Sequence, residues 1–481
     1  TGGNDDSYRL YSGDAAWLPP WPGSAPVRLH DSAGASAEIT PGNQGSVGGR
    51  TGSGSASAST EIIMATSRKS KNHPSELPPE SPEFTQNFIV PENATITQNV
   101  PIPREDAPPC TDTGAGGYRD RPWYPRAWNG MPLEILWRIA VRNGFRVTHV
   151  PRFFACSLTA AFSSSLAALQ SCAYGRRIAR TELSADPIFI LGHWRSGTTL
   201  LHELMIRDGR FTYPTTYQCG APLHHLVSQS WLSPLVSKLM PDKRPMDNMR
   251  FGVTRPQEDE FALCCLGNRS PYLSIMYPNR PVNDAQYLTM EGLSPDQIRT
   301  WKEGFLRFLR SLAVRDPRPI VLKSPPHTAR VRVLLEMFPE AKFIHIVRDP
   351  YALFPSTRNL WKRLCEDYGF QFPDFRQLDE HVFRGMELMY AAFERDRPLI
   401  PTGHFAQVRY ETLVKDKSGE MERIYTELGL GEADRVRPAV RAYLDENSGF
   451  RKNRFDPLPE ELRERIATRW RFYFDTYDYP T

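Results

Sequence analysis

The stretch best equipped for chemistry is an apolar run from Pro187 to Leu191 that leads into Gly192-His193-Trp194-Arg195-Ser196-Gly197-Thr198-Thr199-Leu200-Leu201. A strand, a small-residue turn and the start of a helix in that order make an anion cradle. N–H groups in the first helical turn lack acceptors of their own, and the helix dipole favours negative charge there. Arg195 adds a delocalised cation, Ser196, Thr198 and Thr199 add hydroxyls, and Gly197 permits close approach. A nucleotide kinase would need G-x-x-x-x-G-K-[ST], and no Lys precedes the Ser or Thr here. An N-capped helix after an ordinary glycine turn is the plainer alternative.

A second stretch repeats the arrangement. Ala341 to Val347 is strand-like, Arg348-Asp349-Pro350 follows, and Ser356 comes eight residues after Arg348. A guanidinium at a strand's C-terminal end and a hydroxyl in the next helix could grip one phosphate at the rim where open α/β sheets bind ligands. Three sources compete for a general base: the acidic run Glu258-Asp259-Glu260, His327 and the pair His224-His225. Crowding raises one carboxylate of such a run, so Glu258 or Glu260 ranks ahead of His327. Lys323, at the end of Ile320 to Lys323, is a second cation beside Arg195.

These residues need a scaffold. Short β-rich runs at Pro187–Leu191, Ile320–Lys323, Lys342–Val347 and Phe405–Tyr410 alternate with helical patterns at Thr198–Ile206, Thr328–Phe338, Glu380–Asp396 and Gly419–Leu428. Such alternation predicts an α/β fold with a P-loop-like central parallel sheet flanked by helices. Three regions are expected: a low-complexity, disordered arm over 1–118, a helical lead-in over 119–185 and the catalytic domain over 186–481. Met131 to Val141 has helical spacing. Phe153 to Tyr174 is the least polar stretch but is interrupted by serines; it predicts an amphipathic helix covering the domain, with peripheral membrane contact as the minor alternative.

The two loops, in this order and each after an apolar strand, resemble those of the sulfotransferase superfamily that uses 3'-phosphoadenosine 5'-phosphosulfate, in particular its bacterial branch with R-S-G-T-T-L. The resemblance implies that Arg195, Ser196, Gly197, Thr198, Thr199 and Leu200 hold the 5'-phosphosulfate, and Arg348 and Ser356 the 3'-phosphate. Arg409-Tyr410-Glu411-Thr412-Leu413-Val414 is similar to the family's R-Y-E-x-L-V strand end, which sets Tyr410 near the adenosine or simply closes a strand. Arg451 lies in a segment similar to the family's late basic loop, as an auxiliary contact. Cytosolic members place a catalytic Lys and His as K-[TS]-H. Here Pro325 and Pro326 displace His327 by two residues from Lys323.

In-line sulfuryl transfer spreads charge over peripheral oxygens, so positioning and cations carry the catalysis, with Arg195 first, and no metal is required. The alternatives are a nucleotide-dependent kinase and a nucleotide-binding protein without turnover. A formal net charge of +4 over 481 residues is too small for a nucleic-acid partner. Seven cysteines without a C-x-x-C suit a reducing, cytoplasmic location. The acceptor class stays open among sugar, lipid, phenol and peptide, with residues 231–249 and 272–284 as expected pocket walls.

Overall fold

The structure, a computed structural model, describes residues 125–240, 250–280, 284–432, 434, 436–446 and 456–481. The expected arm, Arg451 and part of both expected pocket walls lie outside them. Helix α1 (Leu133–Arg142) turns Leu136, Ile139 and Ala140 inward, as their spacing requires. Helix α2 (Val150–Arg180) starts with Pro151 in its first turn, where a missing N–H costs nothing. It runs well past the 153–174 stretch and is, by length and composition, apolar enough to cross a membrane. Its packing is that of a covering helix, because Arg152, Ser163 and Gln170 are buried against the protein.

Strand β1 (Ile188–Leu191) is wholly buried and runs into α3 (Thr198–Met205). Helices α4 (Thr216–Gly220), α5 (His225–Leu239), α6 (Asp259–Leu266), α7 (Gln286–Thr289) and α8 (Pro295–Ala313) follow. Then come β2 (Val321–Lys323), α9 (Val331–Met337), β3 (Lys342–Val347), α10 (Pro350–Tyr368), α11 (Leu378–Asp396) and β4 (Phe405–Arg409). Helices α12 (Tyr410–Lys415), α13 (Lys417–Glu427), α14 (Val436–Glu446), α15 (Glu460–Arg469) and α16 (Arg471–Thr476) complete the order.

The strands form one parallel sheet in the order β2-β1-β3-β4, with helices on both faces. Alternate residues divide between two cores. Phe189 stacks on Phe343 at 5.6 Å on one face, while Ile190, Ile344 and Ile346 pack with Leu201, Leu204 and Met205 on the other. Burial on both faces explains the unbroken apolar runs. Because β1 and β3 are neighbours, with Leu191 paired to His345, the turns leaving their C-terminal ends must emerge side by side.

Two local expectations are corrected. Residues 325–330 form a 3-10 turn before α9 rather than the start of one helix over 328–338; adjacent Pro325 and Pro326 supply no N–H, and the tighter turn seats Arg330 in the interior. Tyr410 opens α12 instead of closing β4.

Candidate functional site

Gly192 has φ of +144° and Gly197 has φ of +108°, so the turn after β1 depends on glycine at both ends. A Cβ on Gly197 would come within 2.4 Å of the Tyr410 ring. Tyr410 therefore forms a wall of the turn. Arg195, between the two glycines, also has positive φ, at 70°. The second loop is bonded directly to the first. Arg195 Nε donates to Ser356 Oγ at 3.0 Å, and Arg348 Nη1 donates to the Arg195 carbonyl oxygen at 2.8 Å. Thr357 Oγ1 donates to the Trp194 carbonyl at 3.1 Å. The Arg348 guanidinium lies over the Tyr410 ring, 4.5 Å from its centroid. Burial pulls Arg348 below the usual arginine range, and the charge of Arg195 adds to that depression.

Two guanidinium groups, a left-handed turn and a helix start thus converge on one concavity. Ser196 is fully buried, and its Oγ is a buried polar atom with no bonding partner. Together these groups fit a ligand bearing anions at two ends, as a bisphosphorylated adenosine does.

The concavity belongs to a cavity of about 680 Å³. Of the residues expected to hold anion, Arg195, Gly197, Thr198, Thr199, Leu200, Arg348, Ser356 and Tyr410 all line it; Ser196 lies just behind the wall. Leu232, Val236, Leu239 and Met240 from the expected 231–249 wall line it too, and so does Tyr272 from the other.

The three adjacent acidic residues diverge. Glu258 stands at the N-cap position of α6 and lines the cavity. Its Oε1 accepts from Lys323 Nζ at 2.6 Å and its Oε2 from Tyr272 Oη at 2.5 Å. Tyr272 Oη in turn accepts from Trp194 Nε1 at 2.7 Å, which ties the carboxylate to the anion loop. Burial, then the neighbouring Glu258, lifts the Tyr272 hydroxyl well above its ordinary range, so it stays a donor. Asp259 accepts from Ser324 at 2.9 Å and meets His327 Nε2 at 2.6 Å. Burial opposes its ionisation, but His327 and Ser324 outweigh it and hold the acid below the usual carboxylate range.

Glu260 receives both Nη atoms of Arg330, at 2.6 and 2.9 Å, and Ser270 Oγ at 2.6 Å. The expectation that Glu260 or His327 takes a proton from an acceptor is corrected by this geometry. Both are fully buried outside the cavity lining and occupied by structural partners. Lys323 does not line the cavity but bonds Glu258, which does.

Of the histidine pair, His224 lines the cavity and His225 bonds Ser311 at 3.0 Å inside the protein. Burial lowers His224 to about 4, which keeps it neutral near pH 7. The sequence reading missed Trp194 and Tyr272 as the link to Glu258, and the lining pair Arg255 and Glu203, 3.3 Å apart. No local signal marks them, since each acts through a partner at least 14 positions away.

Residues 187–434 match the Sulfotransferase family. The chain is 40% identical over 363 residues to the omega-hydroxy-beta-dihydromenaquinone-9 sulfotransferase Stf3 of Mycobacterium bovis and to that of Mycobacterium tuberculosis. Each match covers 75% of this chain and 93% of the relative. Among solved structures, sulfotransferase STF9 from Mycobacterium avium superposes with a TM-score of 0.54 at 20% identity, over 72% of this chain and 96% of that one, a likeness of fold. The kinase and silent-binder alternatives give way to these matches. With paired anion loops at adjacent strand ends and a family match spanning the whole sheet, this chain belongs to the sulfotransferase family and is an enzyme.

Proposed function

We propose that the enzyme moves the sulfuryl group of 3'-phosphoadenosine 5'-phosphosulfate onto the hydroxyl of a lipid acceptor. The observation that carries the acceptor class is the apolar part of the cavity lining, to which Phe162, Leu232, Val236, Leu239, Leu360 and Leu364 contribute. A sugar would leave hydroxyls unbonded against such walls, whereas an apolar chain gains by burial there. The mycobacterial relatives' name, a menaquinone sulfotransferase, points the same way.

The donor supplies an activated sulfuryl group with a phosphoadenosine leaving group. Arg195 and the N–H groups of residues 197–199 would hold its sulfate end, with Arg348 and Ser356 at the 3'-phosphate and Tyr410 beside the adenosine. Their cations oppose the charge that spreads during transfer. Glu258 is the proposed base. Each of its oxygens accepts one bond from Lys323 or Tyr272 and keeps capacity for an acceptor hydroxyl. Arg195 and Arg348 supply the charge a metal would bring, so the proposed reaction is metal-independent. A cytoplasmic location suits Cys156, Cys172, Cys219, Cys264, Cys265 and Cys365, all free thiols.

The test is transfer of radiolabelled sulfate from the donor to extracted lipids against a panel of sugars, phenols and peptides. Label confined to the lipid fraction is the expected result. Label on sugars or peptides alone would refute the acceptor class.

A further inference from the structure

Among the described residues, helix α2 leaves a long apolar stripe uncovered. Val150, Phe154, Leu158, Phe162 and Leu169 are each between 49% and 61% exposed, and the first four stand four positions apart, on one side of a helix. Helix α5, packed beside it, adds Trp231, Leu235 and Leu239, between 47% and 64% exposed, again at spacing four. Phe162 and Trp231 join the two stripes, with ring centroids 6.3 Å apart. A monomer in water has no use for such a surface, and an exposed patch of this kind marks an interaction site.

The charges select the occupant. From Ile135 to Thr181 the sequence holds no Asp or Glu and seven arginines, and from Gly209 to Pro241 there is again no acid. Arg176, Arg177 and Arg180 gather at the C-terminal end of α2, and Lys238 is exposed between Leu235 and Leu239. An apolar stripe with Arg176, Arg177 and Arg180 at one end and Lys238 beside it, on stretches of chain that carry no acid, is the pattern of a helix lying in the interface of an anionic bilayer, with long basic side chains reaching the headgroups. A second copy of the chain would set these cations against each other.

Spanning is excluded by the other side of α2. Arg152 donates to the carbonyls of Glu366 and Gly369 at 2.8 and 2.6 Å, Ser163 donates to that of Asn129 at 3.1 Å, and Gln170 accepts from the Leu226 N–H at 2.7 Å. Insertion across a bilayer would strip all of these bonds.

We infer that the joined outer faces of α2 and α5 seat the enzyme on an anionic lipid surface. Phe162 and Leu239 belong both to this face and to the cavity wall, so the cavity mouth opens at the docking surface. A lipid acceptor could then pass from the bilayer into the cavity without crossing water. That last step rests on the lipid-acceptor reading; the docking does not.

The test is flotation of the full chain with vesicles of equimolar phosphatidylglycerol and phosphatidylcholine, beside the double variant Phe154→Ser/Leu158→Ser. Neither residue lines the cavity. Wild type should float with the vesicles, and the variant should bind them about tenfold or more weakly, since loss of buried apolar area weakens interfacial binding. Equal affinity for 3'-phosphoadenosine 5'-phosphate by calorimetry would show that the variant is folded. Wild type that stays in the soluble fraction, or a variant that floats equally well, would overturn the inference. So would a wild-type dimer in sedimentation that the double substitution splits, because the face would then belong to a second copy. Failure of both proteins to bind the nucleotide would strike the reading of the anion loops and leave the docking result standing.

Discussion

Arg348 donates a hydrogen bond to the main-chain oxygen of Arg195 across 153 positions of sequence, at 2.8 Å. The bond ties the second loop to the first, and the charge of Arg195 acts on Arg348. Like charges so close repel one another, which is a cost that an arriving phosphate or sulfate removes.

Replacement of Arg195 by Ala should lower kcat/KM by about 100- to 1,000-fold, the usual loss for one preorganised charge donor in a transition state. Thermal unfolding should hardly change, since the side chain faces the cavity. Steady-state sulfate transfer beside a melting curve checks both. Full activity in a folded variant would remove Arg195 from the chemistry.

For Glu258→Gln, kcat should fall by about 100- to 10,000-fold while nucleotide affinity holds, because a base acts on the acceptor and not on the donor. Calorimetry with 3'-phosphoadenosine 5'-phosphate separates the two. A matched loss of nucleotide affinity would instead make Glu258 a support for the anion loop through Tyr272 and Trp194.

Substituting Glu260 by Gln tests its neighbour's different task. With Arg330 left buried and uncompensated, the fold should lose about 3 to 5 kcal/mol in urea titration. Residual folded protein should keep its turnover per active site. A stable variant with abolished turnover would return Glu260 to the list of bases.

Acid stability carries a further signature. Burial first, and the charge of Arg397 second, hold His345 at about 3, against about 6.5 in an unfolded chain. The unfolded state therefore binds the extra proton between those values. The stability this neutral imidazole contributes is complete above about pH 6.5 and is lost as pH falls towards about 3, at about 1.4 kcal/mol per pH unit. His345→Phe should flatten the pH dependence of the urea midpoint by that slope. An unchanged slope would show that His345 is not neutral in the fold.

Much of this was legible in the residue order. The two loops after β1 and β3, the apolar runs that became β1 to β3 and the covering role of α2 follow from local chemistry, since a strand, a glycine turn and a helix start are encoded by neighbours. Ser356 was also visible, because a single helix carries it back beside the turn that begins at Arg348. Tyr410 stands on a different element from the expected one, as the chain turns helical one residue earlier than its β-rich composition suggests.

Glu258, Asp259 and Glu260 mark where sequence stops being enough. Their order in the chain is the same whichever one faces the cavity, and an α-helix start fans consecutive side chains about 100° apart. One met Lys323 and Tyr272, the next His327 and Ser324, the third Arg330 and Ser270. The residue types gave the expectation that anions and a proton would be handled here. Only the tertiary structure decided which carboxylate stays open to the cavity, because that depends on partners brought from 65 to 70 positions away, which no local pattern records.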